Sequence, residues 1–395
     1  MKERIKFLLE WERQWREGHG RVNMAALCRV FGISRETGYV WVRRYVEAQH
    51  KIDAVNEGSR RAHHLPHAVD DTVVDLVVRA RKHRPTWGPR KLHTWLSERR
   101  PELPLPGSTA IGRILRQHGL TRLRRRRRQG GAVGSRPGTC DVANAVWCID
   151  FKGWFRTTDQ VRCYPLTLID AHTRFLLRCE GLLDPVGTEV QAVLESAFTE
   201  FGLPEAIRSD NGPPFASVGA GGLTPLAVWL LKLGIRLDRG RPGKPQDNGR
   251  LERFHRTLKL DTASPPRAHR MAQQRAFDLF RREYNCERPH EALGMRRPAT
   301  LYRPSPRRYP RRLEAFVPDI DIEGYRVERT GHIRWRRHKI FISTALAHEY
   351  VGLEPDDHHR FWTVSFGPIE LGKIDIEHLD RGLLLPRRRR KLPPL

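Results

Sequence analysis

Three acids of this chain, Asp150, Asp210 and Glu252, sit in surroundings that suit chemistry better than solvation. Asp150 interrupts "AVWCIDFKGWF", an apolar, β-rich run in which an unpaired charge is costly. Asp210 ends the strand-like "EAIRS" region and opens the turn "SDNG". Glu252 follows "PGKPQDNG", whose prolines and glycines forbid regular structure. It stands in the first turn of an amphipathic helix striped by Leu251, Phe254 and Leu258, which Asp247 or Asn248 can cap. On its own, a first-turn glutamate need only complement the helix dipole. A strand, a strand end and a helix start can, however, converge on one edge of a mixed sheet. Carboxylates gathered there repel and raise one another's pKa, so a tight cluster calls for a divalent cation. An all-oxygen ligand set favours Mg²⁺ or Mn²⁺.

The surrounding chain points to a phosphodiester substrate. Its 395 residues carry 72 Lys plus Arg against 45 Asp plus Glu, a net charge of +27 that favours nucleic acid over other partners. No apolar run approaches the roughly 18 residues that span a bilayer, so no membrane partner is expected. The start, "MKERIKFLLEWERQW", has too short an apolar stretch for a signal peptide. Six cysteines (28, 140, 148, 163, 179 and 286) include no C-x-x-C pair, so buried reduced thiols are expected and no zinc module.

Elements that read nucleic acid come first. Residues 1–50 have Ile5, Leu8, Leu9 and Trp15 at helical spacing, then "NMAALCRVF" capped by Asn23, a turn at Gly32, and "SRETGYVWVRRYV" capped by Ser34. This is a helix-turn-helix order, and Arg35, Thr37 and Tyr39 are the expected DNA contacts of its last helix. Residues 65–121 repeat the outline with Val74, Val77 and Val78, then Leu92, Trp95 and Leu96, then "STAIGRILRQHG" ended by Gly119. Ser108, Thr109 and Arg113 are the contacts expected there. A packing module without DNA is the alternative for the first unit. Residues 122–139 form an Arg-rich linker in which Arg124, Arg125, Arg126, Arg127 and Arg128 are expected to lie on phosphates or in a minor groove, a solvated linker without specific contact being the alternative.

From 140 to 303 the pattern becomes mixed α/β. Three apolar strands precede a helix beginning at Thr188, with Gln191 completing a capping box, and helices then alternate with short strands. Residues 310–382 hold four or five short alternating strands with turns at Thr330-Gly331 and 355–359, a small all-β domain of the SH3-like barrel type. Residues 383–395, with "PRRRRK", read as a basic tail. The fold class is therefore multidomain: tandem helix-turn-helix units, an α/β core and a β-barrel.

The segments "WCIDFKG", "RSDNGPPF", "PGKPQDNGRLERFHRTLK" and "YNCERPHEALGMRRPA" resemble the catalytic core of bacterial insertion-sequence DDE transposases, within the retroviral-integrase superfamily. The resemblance is strong over about 140–300 and looser on either side. It implies an RNase H-like core in which Asp150, Asp210 and Glu252 are catalytic and bind Mg²⁺, with Mn²⁺ able to substitute. It also implies double-stranded DNA as partner (transposon ends and target), at least a dimer on DNA, and a place in the bacterial cytoplasm at the nucleoid. The implied reaction is two-metal cleavage at the element's ends followed by attack of the 3′-OH on target DNA. Lys244, and Lys259 two helical turns or about 10 Å beyond Glu252, are expected to hold DNA.

Two departures stand out: the 41 residues between Asp210 and Glu252 exceed the family's usual spacing, and no His/Cys zinc module is present. The extra residues are expected in "SVGAGGLTP", a loop that need not move the sheet. Asp170 is a rival acid without an implied catalytic role, and "DDHH" at 356–359 reads as a solvated turn. A DNA-binding regulator with a dead core and a plain RNase H-like nuclease are the competing functions. Intact acids oppose the first, and the lack of an evident fourth acid opposes the second.

Overall fold

The computed structural model describes residues 2–51, 69–121, 141–239, 249–316 and 322–386, in two compact units, Met1–Ala68 and Val69–Leu395. The linker residues Arg124–Arg128 and also Lys244 lie outside the described residues.

The first unit holds α1 (Lys2–Glu17), α2 (Met24–Val30) and α3 (Arg35–Glu47). Asn23 and Ser34 cap as their chemistry suggests, accepting the N–H groups of Ala26 and Thr37 at 3.1 Å each. The buried face of α1 differs from the expected stripe: Phe7, Leu8 and Trp11 are inside, while Leu9 and Trp15 are exposed. Two stripes were compatible with helical spacing. Aromatic packing selects one, because Phe7 meets Phe31 and Trp41 edge-on at 5.4 and 5.5 Å. Gly38 of α3 is where α2 comes closest, since a Cβ there would meet Cys28 Sγ at 2.5 Å.

The second unit opens with α4 (Asp71–His83), α5 (Pro89–Arg99) and α6 (Ser108–Gln117). The inner row of α4 is Val73, Val77 and Ala80, with Val74 and Val78 only half-buried, so the expected face is rotated. The core it meets, Trp87, Leu92 and Ile111, sits over that i, i+4, i+7 row.

The mixed sheet follows. Its strands are β1 (Val146–Phe151), β2 (Phe155–Arg156), β3 (Arg162–Asp170), β4 (Leu176–Leu182), β5 (Ala206–Ser209) and β6 (Arg236–Arg239). The order is β2-β3-β1-β5-β6, with β4 also paired to β3. β3 runs antiparallel to β1 and β4, while β1, β5 and β6 are parallel. Trp147 and Ile149 on one face pack against α7 (Gly187–Phe201) and α8 (Pro225–Lys232). On the other face Cys163 and Ile169 pack against α9 (Gly249–Thr262) and α10 (Arg270–Cys286). Each fully buried Leu, Val or Phe of these layers contributes about 1.5–3 kcal/mol.

The expected capping box does not form. α7 starts one residue early at Gly187, which places Thr188 inside the helix, and Gln191 bonds Glu195 instead at 2.9 Å. After the short α11 (Pro298–Leu301) the chain stays on the core well past residue 303. There the Arg307 guanidinium donates to the carbonyls of Pro204 and Leu233 at 2.8 and 2.9 Å.

The C-terminal region has β7 (Glu323–Arg326), β8 (His332–Trp335), β9 (His338–Phe341), β10 (Tyr350–Pro355), β11 (Phe361–Phe366), β12 (Ile369–Asp375) and β13 (Leu383–Leu384). They form a five-stranded antiparallel sheet, β13-β12-β11-β10-β7, and a separate β8–β9 hairpin that share one core. Leu383 and Leu384, assigned to the basic tail by position, in fact pair with Ile374 and Lys373.

The Gly-rich insertion has a larger role than a slack loop. Ala220 and Leu223 enter the C-terminal core, and a Cβ on Gly221 (φ 60°) would meet Ile369 at 2.9 Å. The insertion thus docks the β domain onto α8, a contact reinforced by the Lys232–Glu349 ion pair at 2.7 Å. Cys28, Cys163 and Cys179 are buried as expected, but Cys286, at the end of α10, is exposed.

Candidate active site

Parallel pairing sets the first two acids. Val146 lies opposite Ala206 and Cys148 opposite Arg208, and that register, continued by two residues, leads from β1 to Asp150 and from the end of β5 to Asp210. Side chains alternate along β1, so Trp147 and Ile149 enter the α7–α8 core while Cys148 and Asp150 face α9. Burial raises the Asp150 pKa, with the charge of Asp210 adding, to about 6. The N–H of Phe151 and the charge of Lys152 oppose this only in part.

The third acid arrives on α9. Leu251, Phe254, His255 and Leu258 are buried against the sheet, which turns Glu252, Arg256 and Lys259 outward. Glu252 is therefore an exposed first-turn carboxylate on a helix that crosses the Asp150 face of the sheet. The three acids do not close into one ligand sphere. Among the described residues, the group whose ligand atoms all lie within 4.8 Å of one another is Asp375, Glu377 and His378. That trio has a structural use: Asp375 caps the turn that follows β12, accepting the Glu377 N–H at 3.1 Å and lying 3.2 Å from His378 Nδ1.

His255 and Thr167 complete the site and were not singled out by sequence. His255 Nε2 is 2.9 Å from Thr167 Oγ1, and its Nδ1 is 3.7 Å from Asp150 Oδ2. Thr167 Oγ1 also donates to the Asp150 carbonyl at 3.1 Å. A histidine one turn after Glu252, inside the apolar stripe, was the available signal. Burial, with Lys152 adding, pushes its pKa to about 4, so it stands neutral beside Asp150 at pH 7. A half-buried carboxylate with an acidic neighbour and no charged imidazole is a donor set that fits a divalent cation.

The rival acids have structural work. Asp170 is fully buried and accepts the N–H groups of Asn144 and Thr173 at 2.8 and 2.7 Å. Asp356 of the "DDHH" turn accepts the N–H groups of Arg360 and Phe361 at 2.9 and 3.1 Å. Of the expected DNA contacts, Arg35, Tyr39, Thr109, Arg113 and Lys259 are exposed, and Ser108 is half-buried. Thr37 is half-buried with its hydroxyl 2.8 Å from Ser34 Oγ, which gives it a part in the helix cap.

With this geometry in place, the likeness to known proteins can be weighed. Profiles described as "Integrase core domain" match residues 141–245 and 233–298. The insertion element IS407 uncharacterized 31.7 kDa protein of Burkholderia multivorans is 30% identical over 240 residues, 59% of this chain and 82% of that protein. The IS476 uncharacterized 39.2 kDa protein of Xanthomonas euvesicatoria is 30% identical over 228 residues, 57% of this chain and 62% of that protein. A cryo-EM structure of a simian T-cell lymphotropic virus intasome in complex with PP2A regulatory subunit B56 gamma is 16% identical. It covers 80% of this chain and 99% of that one, with a TM-score of 0.38.

Proposed function

The chain belongs to the insertion-element DDE transposases with an integrase-type core, which makes it a polynucleotidyl transferase, and from that premise we propose that it binds the terminal repeats of its element, cleaves there and joins the 3′-OH ends to target DNA. One observation supports the reading: Asp150 near the end of β1 lies close enough to Asp210, the residue just past the adjacent parallel strand β5, for the Asp210 charge to raise its pKa, on the sheet face that the Glu252 helix crosses. These three are the residues that would hold Mg²⁺ or Mn²⁺. Bound there, the cation supplies Lewis-acid activation and neutralises charge on the phosphodiester.

The chain's own groups do the rest. Thr167 and His255 tie the Asp150 strand to the Glu252 helix, so the two acids keep a fixed relation. In this reading the two N-terminal helical units are helix-turn-helix readers of the repeats, and two ends require at least a dimer. Domain divisions near residues 50, 121, 139 and 310 belong to the same proposal. No helix among the described residues is long and apolar enough to cross a membrane, and the proposed place of action is the bacterial nucleoid.

Strand joining is the test. Purified protein with Mg²⁺ is expected to nick duplexes bearing the element's ends and to yield molecules joined to a second duplex on a denaturing gel. Nicked ends without any joined product would favour the plain nuclease.

Lys259 provides a finer check. It projects from the exposed side of α9 with Glu252 and Arg256, where it can reach phosphates beside the scissile bond. As a mere complement to the helix dipole it is worth only about 0.3–1 kcal/mol. Lys259→Ala is expected to reduce end processing, and Lys259→Glu to reduce it further, with melting nearly unchanged. Normal processing by a protein of lowered melting temperature would leave it the dipole role alone.

A further inference from the structure

A cavity of about 380 Å³ opens between the sheet and the first turns of α9, closed by the end of α10 and by α5 of the second helical unit. That volume is within the range of small-ligand pockets, roughly 300–1,000 Å³. Five cations from five separate segments line it: Lys91 on α5, Arg174 in the β3–β4 turn, Arg208 on β5, Arg253 on α9 and Arg288 after α10. Among the described residues, no Asp or Glu lines it.

Acids that pair with three of these cations stand outside the lining. Asp238 lies 2.6 Å from Arg208, Asp261 is 3.6 Å from Arg288, and Glu291 is 3.9 Å from Lys91. The described charged side chains that face the enclosed space are thus cationic, not acidic. Lys91 has its pKa lowered by burial and then by Arg288. His290, also in the wall, is pushed to about 3 by burial, with Arg288, Lys91 and Arg174 pressing the same way against its bond to the Tyr284 carbonyl. Cations crowded into a desolvated space are relieved by a bound anion.

The cavity is built by docking of the helical unit on the core. Arg84 bonds Glu283 and Glu287 at 3.1 and 2.9 Å, and the Thr86 hydroxyl donates to Asp261 at 3.0 Å. Those contacts hold the α4–α5 corner over α10 and so bring Lys91 to the cavity. The remaining wall is apolar and aromatic, with Phe254 and Tyr284 in edge contact at 5.1 Å. Where these buried rings border the cavity, they offer an aromatic wall that suits a nucleobase. Cys148 and Arg208 also line the cavity, two residues before Asp150 on β1 and two before Asp210 just past β5, so it lies about 7 Å along the sheet from the acid edge.

We propose that this cavity binds a 5′-phosphorylated nucleotide, its phosphate among Lys91, Arg174 and Arg288 and its base against Tyr284 and Phe254. The shared chemistry is a nucleoside 5′-phosphate, which either a DNA strand terminus or a free mononucleotide can present. The inference stands on the cavity and does not need the three acids to be catalytic.

Calorimetry on the full chain in EDTA tests it, since removing divalent metal silences any nucleotide held at the acid edge. The probes are 2′-deoxyadenosine 5′-monophosphate, deoxyadenosine, and a short single strand with or without a 5′-phosphate. The monophosphate is expected to bind and deoxyadenosine not to. Lys91→Gln or Arg174→Asn should weaken that binding at least tenfold, and the pair together should remove it, with an unchanged melting temperature for Arg174→Asn. Phosphorylated strand competing better than hydroxyl strand would identify the strand end as the ligand. Competition by mononucleotide alone would identify the free nucleotide. Absence of monophosphate binding, binding only when Mg²⁺ is present, or equal binding by the double variant would each overturn the assignment. Glu252→Gln, expected to stop strand transfer, should leave the EDTA measurement unchanged, which separates failure of this site from failure of the transposition reading.

Discussion

Asp210→Asn and Glu252→Gln are each expected to abolish cleavage and joining while leaving binding to the element's ends nearly unchanged. Each substitution keeps the shape of the side chain and removes the charge that would hold a divalent cation. A bound cation contributes several kcal/mol of transition-state stabilisation, so loss of about 4 kcal/mol corresponds to about a thousandfold in rate. Both residues lie at the solvent-exposed edge and are not part of the buried clusters, so folding should not suffer. In the proposed reading, binding falls to the N-terminal helical units and the basic segments, which neither change touches. A gel assay for nicked and joined products, beside a filter-binding assay on the same preparations, reads both effects. Cleavage that survived either substitution would remove that residue from the metal set.

Asp150→Asn is expected to act in two opposite directions, destroying activity while stabilising the metal-free protein. The Asp150 pKa stands at about 6 in the folded chain against 3.8 for the unperturbed group, because burial and then Asp210 disfavour its charged form. A raised folded pKa means that the native state holds the proton more tightly than the unfolded one. The associated stability is present below about pH 4 and is lost as pH rises through 6. Two units amount to about 3 kcal/mol, an upper bound for a side chain about a quarter exposed, 24% by area. In EDTA at pH 7.5 the asparagine variant should therefore melt above the parent, and at pH 4 the difference should vanish. Mg²⁺ should raise the parent's melting temperature more than the variant's. Equal melting at pH 7.5 without metal would show that Asp150 is not strained by its surroundings.

Reading from sequence succeeded where a local signal is complete in itself. The caps at Asn23 and Ser34 and the glycine stop at Gly119 each depend on residues within a turn or two. It failed where two local solutions were near in energy. Phe7 and Trp11 displaced Ile5 and Leu9 as the inner face of α1 because their rings fit α2 and α3, and periodicity cannot weigh that. Gln191 likewise abandoned the expected cap for Glu195 once the helix began one residue earlier.

By itself the sequence determined the identity of the three acids and the kind of element that carries each: an acid inside an apolar strand, another at a strand end, and a third after a Pro-Gly break. Its charge of +27 set the expectation of a polyanionic partner. Only tertiary structure decided what surrounds those acids. Parallel pairing of β1 with β5 joins residues 60 positions apart, and no local pattern specifies that register. The same long-range packing placed Thr167 and His255 beneath Asp150, and turned a Gly-rich insertion into the seat of the C-terminal sheet. It also drew Lys91 and Arg288, nearly two hundred residues apart in the chain, to one cavity. Side chains brought together across such distances interact through desolvation and charge, quantities set by the whole packed interior, whereas composition and spacing report only what neighbours along the chain do to one another.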